Sequence, residues 1–403
     1  MLKPLDFTAS QQFNSFTNAD QAAFQEALNR AFETTFPQAG VSVAVFDGSR
    51  LWTSGVGKAT ETEIMTPETP MIIRSTSKTV LGALITDQIN RGLYDLNATI
   101  ESLLNDHEDY HLINIDNVNV KVTVRQLLTM TSGISDWSSA TDLLKRIEIM
   151  TDANWKPANN LKQISELFVE PGSYHYSYAN SILLGLIAEH KDGRAINTIY
   201  QETFFEPLGI VAGLLPDIPM PVHTAVSYDD LSLYQLAGQE EGVGFGPMNS
   251  GSMAPLYGHD SKVSWAGAGI VSTAENIARW GYELFSPSGS AVSTQVRQQL
   301  LDAMTIPTDS GLTSLGMHTY GHYMGTGEVS ASDGTLLKVY THPGGGGGRT
   351  SWLYYAPELN VSISLLANSL MLHKPGNCNY RGRTFMTNGE CIGGGIFSRL
   401  LGK

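Results

Sequence analysis

The sequence predicts an α+β fold, in which an antiparallel sheet is flanked by helices and adjoins a mostly helical region. Strand-like segments come from both parts of the chain that flank its middle: two that alternate in the manner of strands at 41–46 and 51–54, and four more at 318–324, 336–341, 351–355 and 361–366. The stretch between them has helical spacing, interrupted by loops rich in proline, glycine and asparagine. Because strands from both ends must meet in one sheet, we expect helices on both of its faces.

The elements can be followed in order along the chain. An amphipathic helix is predicted at 20–36, and a turn at 47–49 joins the first two strands as a hairpin. The helical region begins near residue 75, and a short helix at 390–401 closes the chain despite three consecutive glycines. We therefore expect one domain over 1–403, with a sheet region at about 20–74 and 291–403 and a helical region at about 75–290.

Composition indicates a globular protein, since 42% of the 403 residues are hydrophobic and 16% are charged. A formal net charge of −14 argues against nucleic acid or an anionic membrane surface as a partner. No apolar stretch approaches the roughly 20 residues of a membrane-spanning helix, so we expect no membrane span. The first four residues are too polar and too short for a signal peptide, which favours a mature form or a cytosolic protein.

The two cysteines, Cys378 and Cys391, lie 13 residues apart in a stretch rich in glycine and asparagine. They lack the spacing of a metal site, and a pair that closes a surface loop is typical of a disulfide. Because disulfides persist in oxidising compartments, the pair favours a secreted or periplasmic protein. Two free thiols in a cytosolic enzyme are the alternative.

The only Ser-x-x-Lys of the chain lies at 75–78 and opens a segment that has the pattern of a buried helix. Apolar residues follow at the spacing of one helix face, at Val80, Leu81, Leu84, Ile85 and Ile89. Positions i and i+3 share a face, so the Lys78 amine can reach the Ser75 hydroxyl. A lysine acts as a base if burial lowers its pKa, and a helix N-terminus favours a developing oxyanion. We predict that Ser75 is a nucleophile and that Lys78 is its proton acceptor, or the cation that keeps a neighbouring tyrosine phenolate charged. An ordinary helix start with a serine cap and a solvated lysine is the alternative.

Two further motifs follow in order. A Tyr-Ala-Asn at 178–180 precedes an apolar helix, and a His-Pro-Gly at 342–344 opens a run of five glycines ahead of a strand. With the Ser-x-x-Lys, they resemble the motifs of the penicillin-recognising serine hydrolases, which include class C β-lactamases, D-Ala-D-Ala carboxypeptidases, D-aminopeptidases and related esterases. The resemblance runs from about residue 40 to about residue 370. It implies a β-lactamase/transpeptidase-like fold and an acyl-enzyme mechanism without metal or cofactor.

The resemblance also implies a role for each motif residue. Tyr178 would be the second base and acid, which hands a proton to the leaving group and later activates water. The N–H of Gly345 would face the acyl oxygen opposite the N–H of Ser75, as the second half of an oxyanion hole. Asn180 and Gly344 would belong to the same substrate-binding surface.

A second tyrosine, Tyr176, leaves the choice of catalytic tyrosine open. The related proteins usually have about two more residues between the asparagine and the following Leu-Leu-Gly, which lies at 183–185 here. Counting back from that tripeptide favours Tyr176 and puts Tyr178 at the asparagine position. Residue identity favours Tyr178, and our prediction follows identity.

His342 bears on the substrate class. The β-lactamases of this family generally have lysine there, as a cation for the drug's carboxylate, whereas histidine is more typical of D-amino-acid peptidases and some esterases. A neutral imidazole attracts a carboxylate only weakly. We therefore expect a D-amino-acid peptidase or amidase, or a carboxylesterase, acting on a small molecule or short peptide. A β-lactamase and a slow-turnover binder of penicillin or cell-wall peptide are the alternatives, and the oligomeric state is not predicted.

Other motifs give little support to a different chemistry. His107 and His111 match the His-Glu-x-x-His pattern of zinc peptidases, but asparagine and aspartate crowd them into loop-like sequence. The chain has no Gly-x-Ser-x-Gly, Gly-x-Gly-x-x-Gly or Walker pattern. We therefore expect neither a metal nor a nucleotide cofactor.

Overall fold

The computed structural model describes residues 5–8, 12–33, 39–136, 148–230, 253–256, 261–373, 378–385 and 387–403. Its strands are β1 (Asn14–Ser15), β2 (Gly40–Phe46), β3 (Arg50–Gly57), β4 (Met71–Ile72), β5 (Ala212–Leu214), β6 (Ser227–Asp230), β7 (Met253–Leu256), β8 (Ile270–Ser272), β9 (Ile306–Pro307), β10 (Thr319–Tyr320), β11 (Gly325–Ser330), β12 (Leu336–Gly346), β13 (Arg349–Ala356), β14 (Val361–Ala367), β15 (Asn379–Tyr380) and β16 (Arg383–Thr384). Seven of them form the main sheet, in the order β1-β3-β2-β14-β13-β12-β11. All neighbours in it are antiparallel except β1 and β3, which are parallel.

Helices cover both faces of this sheet. They are α1 (Asn18–Glu33), α2 (Lys78–Asn90), α3 (Ile100–Leu104), α4 (Val124–Leu128), α5 (Ala158–Lys162), α6 (Tyr178–Asp192), α7 (Ile196–Tyr200), α8 (Glu206–Leu208), α9 (Ser261–Ser264), α10 (Ala274–Phe285), α11 (Thr294–Asp302), α12 (Ser310–Ser314) and α13 (Asn388–Leu400). Helices α1 and α13 pack together on one face, and α10 packs on β2, β13 and β14 from the other. The predicted antiparallel sheet flanked by helices is therefore confirmed.

The alternation of side chains along each strand divides the core in two. In β13, Trp352 and Tyr354 join the hydrophobic cluster under α1 and α13, whereas Leu353 and Tyr355 join the larger cluster that extends into the helical region. Successive side chains of a strand point to opposite faces, so a strand covered on both sides buries all of its side chains. This explains why every residue of β2, β13 and β14 is buried and most of them are apolar.

The structure corrects two local predictions. The strand expected at 318–324 is limited to β10, because His322 and Tyr323 adopt positive φ angles of 49° and 65° in a tight turn. The strand that follows, β11, was not predicted, since its sequence Gly-Thr-Gly-Glu-Val-Ser contains a single large apolar residue. Glycine there is required by packing: a Cβ at Gly325 would lie 1.8 Å from the carbonyl oxygen of Thr319.

The glycines of α13 also have a packing reason. A Cβ at Gly395 would lie 2.6 Å from the Cβ of Ala27 in α1, and one at Gly394 would lie 2.3 Å from the carbonyl oxygen of Ser330 in β11. Close approach of these backbones offsets the low helix propensity of glycine. Cys391 of the same helix is joined to Cys378 by a disulfide, as predicted.

A smaller sheet, with the antiparallel order β4-β8-β5, connects the helical region to the start of the Ser75 segment. Across the part of the chain that the structure describes, no helix is long and apolar enough to cross a membrane.

Candidate active site

Ser75 lies in a 3₁₀ turn, Arg74–Ser77, that runs directly into α2. The α-helix thus begins at Lys78, three residues later than the sequence pattern predicts. Arg74 has a φ of 51°, a left-handed conformation that is strained for a residue with a side chain. The turn presents Ser75, of which 5% is exposed, between the main sheet and the helical region.

Buried hydroxyl groups fasten this turn to the sheet. Thr76 donates a hydrogen bond from Oγ1 to the carbonyl oxygen of His342 in β12, at 3.0 Å. Ser351 of β13 donates from Oγ to the carbonyl oxygen of Ile73, at 2.6 Å. Because the sheet partners, His342 and Ser351, lie on two adjacent strands and all four residues are fully buried, the position of the Ser75 hydroxyl is set by the sheet.

Lys78 is completely buried and its Nζ donates to two oxygens, Ser75 Oγ at 3.3 Å and the carbonyl of Gly267 at 2.8 Å. Burial holds the pKa of Lys78 well below its usual value of 10.5; the negative charge of Asp136 opposes this effect, and the positive charge of Arg74 adds to it. A lower pKa favours the neutral amine, which is the form that can accept a proton. The geometry therefore suits Lys78 as the base for Ser75.

Two tyrosine hydroxyls also reach Ser75 Oγ. Tyr176 donates to it at 2.8 Å, and the hydroxyl of Tyr178 lies 3.3 Å away. The residue between them, Ser177, has extended angles of φ −145° and ψ 130°, and residues i and i+2 of an extended segment share a face. Both rings also lie against Lys78, whose Nζ is 5.0 Å from the centroid of Tyr176 and 4.2 Å from that of Tyr178.

Tyr176 is held as a neutral phenol. Burial raises its pKa well above 10, the neighbouring Tyr178 adds to the rise, and the hydrogen bond to Ser75 opposes it. A phenol that keeps its proton is a hydrogen-bond donor at neutral pH, and can act as an acid.

Asn180 does not share this site. Helix α6 starts at Tyr178, and residues two apart on a helix do not face the same way. The side chain is fully buried: its Nδ2 donates to Met130 Sδ at 3.1 Å, and its Oδ1 accepts from Ser132 Oγ at 2.7 Å. The amide thus packs behind the helix and, among the described residues, makes no hydrogen bond to Ser75 or Lys78.

His342 is close to the site but does not present a cation to it. The imidazole is fully buried; Nδ1 donates to the carbonyl oxygen of Pro343 at 2.7 Å, which leaves Nε2 to accept from the hydroxyl of Tyr320 at 3.2 Å. Burial, with a smaller contribution from Lys78, lowers the pKa of His342 to about 3. The side chain is therefore neutral at physiological pH.

The glycine run brings a strand against the nucleophile. Pairing of β12 with β11 ends at Thr341, so the residues that follow are paired with β13 alone. A Cβ at Gly344 would lie 2.6 Å from the carbonyl oxygen of Ile73 and 2.9 Å from the backbone nitrogen of Ser75. Only glycine permits that approach, which places Gly345 one residue further along the same strand.

Comparison with known proteins identifies the family of this chain. The profile of the family described as Beta-lactamase matches residues 29–381. The chain belongs to the Beta-lactamase family. An unguisins hydrolase of Aspergillus campestris (strain IBT 28561) is 24% identical to it over 345 residues. That alignment covers 82% of this chain but only 58% of the length of the relative.

Solved structures share the β-lactamase fold. A D-amino acid amidase from Ochrobactrum anthropi SV3, complexed with L-phenylalanine amide, has a TM-score of 0.72 at 18% identity and covers 96% of this chain and 98% of its own. A D-stereospecific amidohydrolase from Streptomyces sp. has a TM-score of 0.65 at 20% identity, and the match covers 86% of this chain and 94% of the amidohydrolase. An octameric penicillin-binding protein homologue from Pyrococcus abyssi has a TM-score of 0.67 at 20% identity, and the match covers 96% of this chain and 78% of the homologue.

The sequence did not predict that the backbone carbonyl of Gly267 belongs to this site. The carbonyl of Gly267 fixes Lys78, and a Cβ at Gly267 would lie 2.8 Å from the Cβ of Ser181 and 3.3 Å from Lys78 Nζ. The phrase Ala-Gly-Ala-Gly at 266–269 was a signal for it, because repeated small residues ahead of a strand often mark a close backbone approach.

The zinc-like pair lies apart from these residues. His107 and His111 belong to loop structure around the short 3₁₀ turn Tyr110–Leu112, and His107 Nδ1 accepts from the backbone N–H of Asp109 at 3.0 Å. Within the described ranges, no three His, Cys, Asp or Glu side chains converge as a metal site requires.

Proposed function

We propose that the protein is a serine hydrolase that cleaves amide bonds of D-amino-acid substrates through an acyl-enzyme on Ser75. The observation that carries the proposal is the convergence on one oxygen: Lys78 Nζ lies 3.3 Å from Ser75 Oγ, and Tyr176 donates to the same atom at 2.8 Å. A serine becomes nucleophilic when a base takes its proton and nearby donors stabilise the charge that develops.

In the first step, the neutral amine of Lys78 takes the proton of Ser75 as Oγ bonds to the substrate carbonyl carbon. The carbonyl electron pair moves to its oxygen, which faces the backbone N–H of Ser75 and, in this proposal, that of Gly345. Gly344 has no side chain and lets the strand lie close enough for this pairing. Two backbone donors preorganised in this way stabilise the tetrahedral intermediate.

Collapse of the intermediate breaks the C–N bond and needs an acid for the departing amine. Tyr176 supports that role best, because it holds its proton and makes the shorter contact to Ser75 Oγ. Its phenolate then recovers the proton held by Lys78, and deacylation repeats the sequence with water in place of Ser75. Tyr178, the tyrosine favoured by residue identity, would instead orient Lys78 and Ser75 from the other side.

The choice of D-amino-acid amides rests on two observations. The similar structures include a D-amino acid amidase and a D-stereospecific amidohydrolase. His342 is neutral and enclosed, so β12 offers no lysine-like cation for the carboxylate of a β-lactam at that position. A carboxylesterase is the second candidate, because the same nucleophile cleaves esters and needs less help from an acid.

A panel of paired substrates tests the proposal. The D- and L-forms of alanine amide and phenylalanine amide, p-nitrophenyl acetate and a penicillin should be compared by kcat/KM, with Ser75→Ala as the control. We expect the D-amides to be turned over fastest and the Ser75→Ala variant to be inactive. Faster turnover of L-amides would reject the stereochemical assignment, and turnover of esters alone would favour the carboxylesterase. A penicillin adduct that persists would instead make the protein a slow binder.

We also propose that the protein works in an oxidising compartment, secreted or periplasmic, because Cys378 and Cys391 are joined. Thiol labelling of the denatured protein, isolated with its thiols blocked at lysis, should find both cysteines protected until a reductant is added. Labelling of both without reductant would contradict this location.

A further inference from the structure

A cavity of about 260 Å³ lies apart from Ser75, between α2, α4, α11 and the turn ahead of β11. Its floor includes Thr86, eight residues after Lys78 on α2 and thus about 12 Å along the helix axis. The polar side chains that line it are His322, Gln299, Arg125 and Asp302, and the apolar ones include Ile89 and Leu96. The mechanism above uses none of them.

The hydrogen bonds of His322 determine what its ring offers to the cavity. Thr86 donates from Oγ1 to the carbonyl oxygen of Gly82 at 2.7 Å, so that hydroxyl can only accept from His322 Nδ1, which lies 3.0 Å away. Burial, with a contribution from the positive charge of Arg125, lowers the pKa of His322 to about 4, so the ring is neutral. Its proton is then on Nδ1, and Nε2 is an acceptor. Nε2 has no hydrogen-bond partner among the described residues, and only 4% of the residue is exposed.

A second acceptor lies on α11. The Oε1 atom of Gln299 is buried and has no hydrogen-bond partner in the described part of the chain. A buried acceptor without a donor costs free energy, unless something supplies the missing hydrogen bond. Gln299 Oε1 is such an acceptor, and His322 Nε2 on another wall of the same cavity also lacks a donor among the described residues. Together they favour a ligand that donates hydrogen bonds.

The two charged residues of the cavity are not paired with each other. Arg125 and Asp302 line it together, yet no ion pair joins them within the described ranges. Asp302 Oδ1 accepts from Gln298 Nε2 at 2.7 Å, which leaves its second oxygen and the Arg125 guanidinium available. A guanidinium binds carboxylates well, and a carboxylate binds ammonium groups.

We propose that this cavity binds a small aliphatic α-amino acid as its zwitterion. The carboxylate contacts Arg125, and the ammonium donates to His322 Nε2, Gln299 Oε1 and Asp302. The aliphatic side chain lies against Ile89. The cavity is smaller than the sites that hold drug-sized ligands, which matches a molecule of a few heavy atoms. The proposal is independent of the catalytic assignment, since it uses no residue of the Ser75 site.

Calorimetric titration of the full-length Ser75→Ala protein tests it without turnover. Alanine has both charged groups, ethylamine lacks the carboxylate and propionate lacks the ammonium, so the three together identify the ligand chemistry. We expect alanine to bind in the millimolar range or tighter, and the other two to bind at least about tenfold more weakly, because each of them lacks one of the two charged groups.

Two variants locate the binding in this cavity. Arg125→Gln changes an exposed side chain, and Gln299→Leu removes the buried acceptor; both should weaken alanine binding about tenfold while p-nitrophenyl acetate hydrolysis in the Ser75 background is unchanged. Glu101→Gln, an exposed carboxylate outside the cavity, is the matched control. Absence of alanine binding, equal binding of propionate or ethylamine, or binding that survives both variants in folded protein would overturn the proposal.

Discussion

Loss of the Tyr176 hydroxyl is expected to slow amide hydrolysis much more than ester hydrolysis. Tyr176→Phe removes the 2.8 Å hydrogen bond to Ser75 Oγ and the acid proposed for the leaving amine, but keeps the ring that packs beside Lys78. A positioned general acid contributes about 10²–10⁴-fold, so kcat/KM for an amide should fall by that factor. A p-nitrophenolate leaves without protonation, so the corresponding loss for p-nitrophenyl acetate should be small.

Tyr178→Phe is the matched comparison, because it removes a hydroxyl that lies 3.3 Å from the same oxygen. Its expected cost is that of one ordinary hydrogen bond, about 0.5–1.5 kcal/mol or about two- to tenfold, and should be similar for amides and esters. The assay is kcat/KM for both substrates in both variants, with the melting temperature as a folding control. A larger amide-specific loss in Tyr178→Phe would refute the assignment of the acid to Tyr176.

Three further predictions follow from the same structure. Activity should rise with pH through the lowered pKa of Lys78, because the neutral amine is the base, and Lys78→Arg should be inactive at every pH at which it is folded. Gly344→Ala should lower kcat at least about tenfold, because its Cβ would lie 2.9 Å from the backbone nitrogen of Ser75; an unchanged kcat would show that the strand can move away. Burial raises the pKa of Glu189 from 4.5 to about 7, so the stability that its protonated form contributes is fully present below pH 4.5 and is lost as the pH rises through 7. Between these two pH values, denaturant titration should find that the free energy of unfolding of Glu189→Gln falls by about 3 kcal/mol less than that of the unsubstituted protein. An equal fall in both proteins would contradict the raised pKa.

The parts of the fold with strong periodicity could be predicted from sequence. Strands such as β2 and β14 are buried along their whole length because helices cover both faces, and their positions were predicted to within about two residues. The pairing of Ser75 with Lys78 was predictable because it depends on local spacing alone, and the 3₁₀ geometry of the turn preserves it.

The positions of the two tyrosines and of Asn180 were harder to predict, because they depend on where helix α6 begins. Had α6 begun one turn earlier, Tyr176 and Tyr178 could not have faced Ser75 together; in an extended segment they do. The same boundary turns Asn180 toward Ser132 and away from Ser75. Residue identity cannot report a helix boundary, whereas counting back from 183–185 favoured the tyrosine that makes the shorter contact.

Other features were hidden because they depend on residues remote in sequence. Nothing around His342 indicates that Tyr320 would contact it, since the two residues are 22 positions apart and meet only in the folded chain. Likewise, the glycines at 325, 344 and 394 have roles set by a backbone that approaches from elsewhere in the chain. Such contacts arise from tertiary packing, which local patterns do not encode.

The most direct test of the central claim is peptide mapping by mass spectrometry after brief incubation with p-nitrophenyl acetate, alongside Ser75→Ala. A nucleophilic Ser75 predicts one acetyl group on the peptide that contains it, formed at a rate consistent with turnover and absent from the variant. Acetylation at a different residue, or hydrolysis that persists in Ser75→Ala, would contradict the acyl-enzyme on Ser75 and the mechanism built on it.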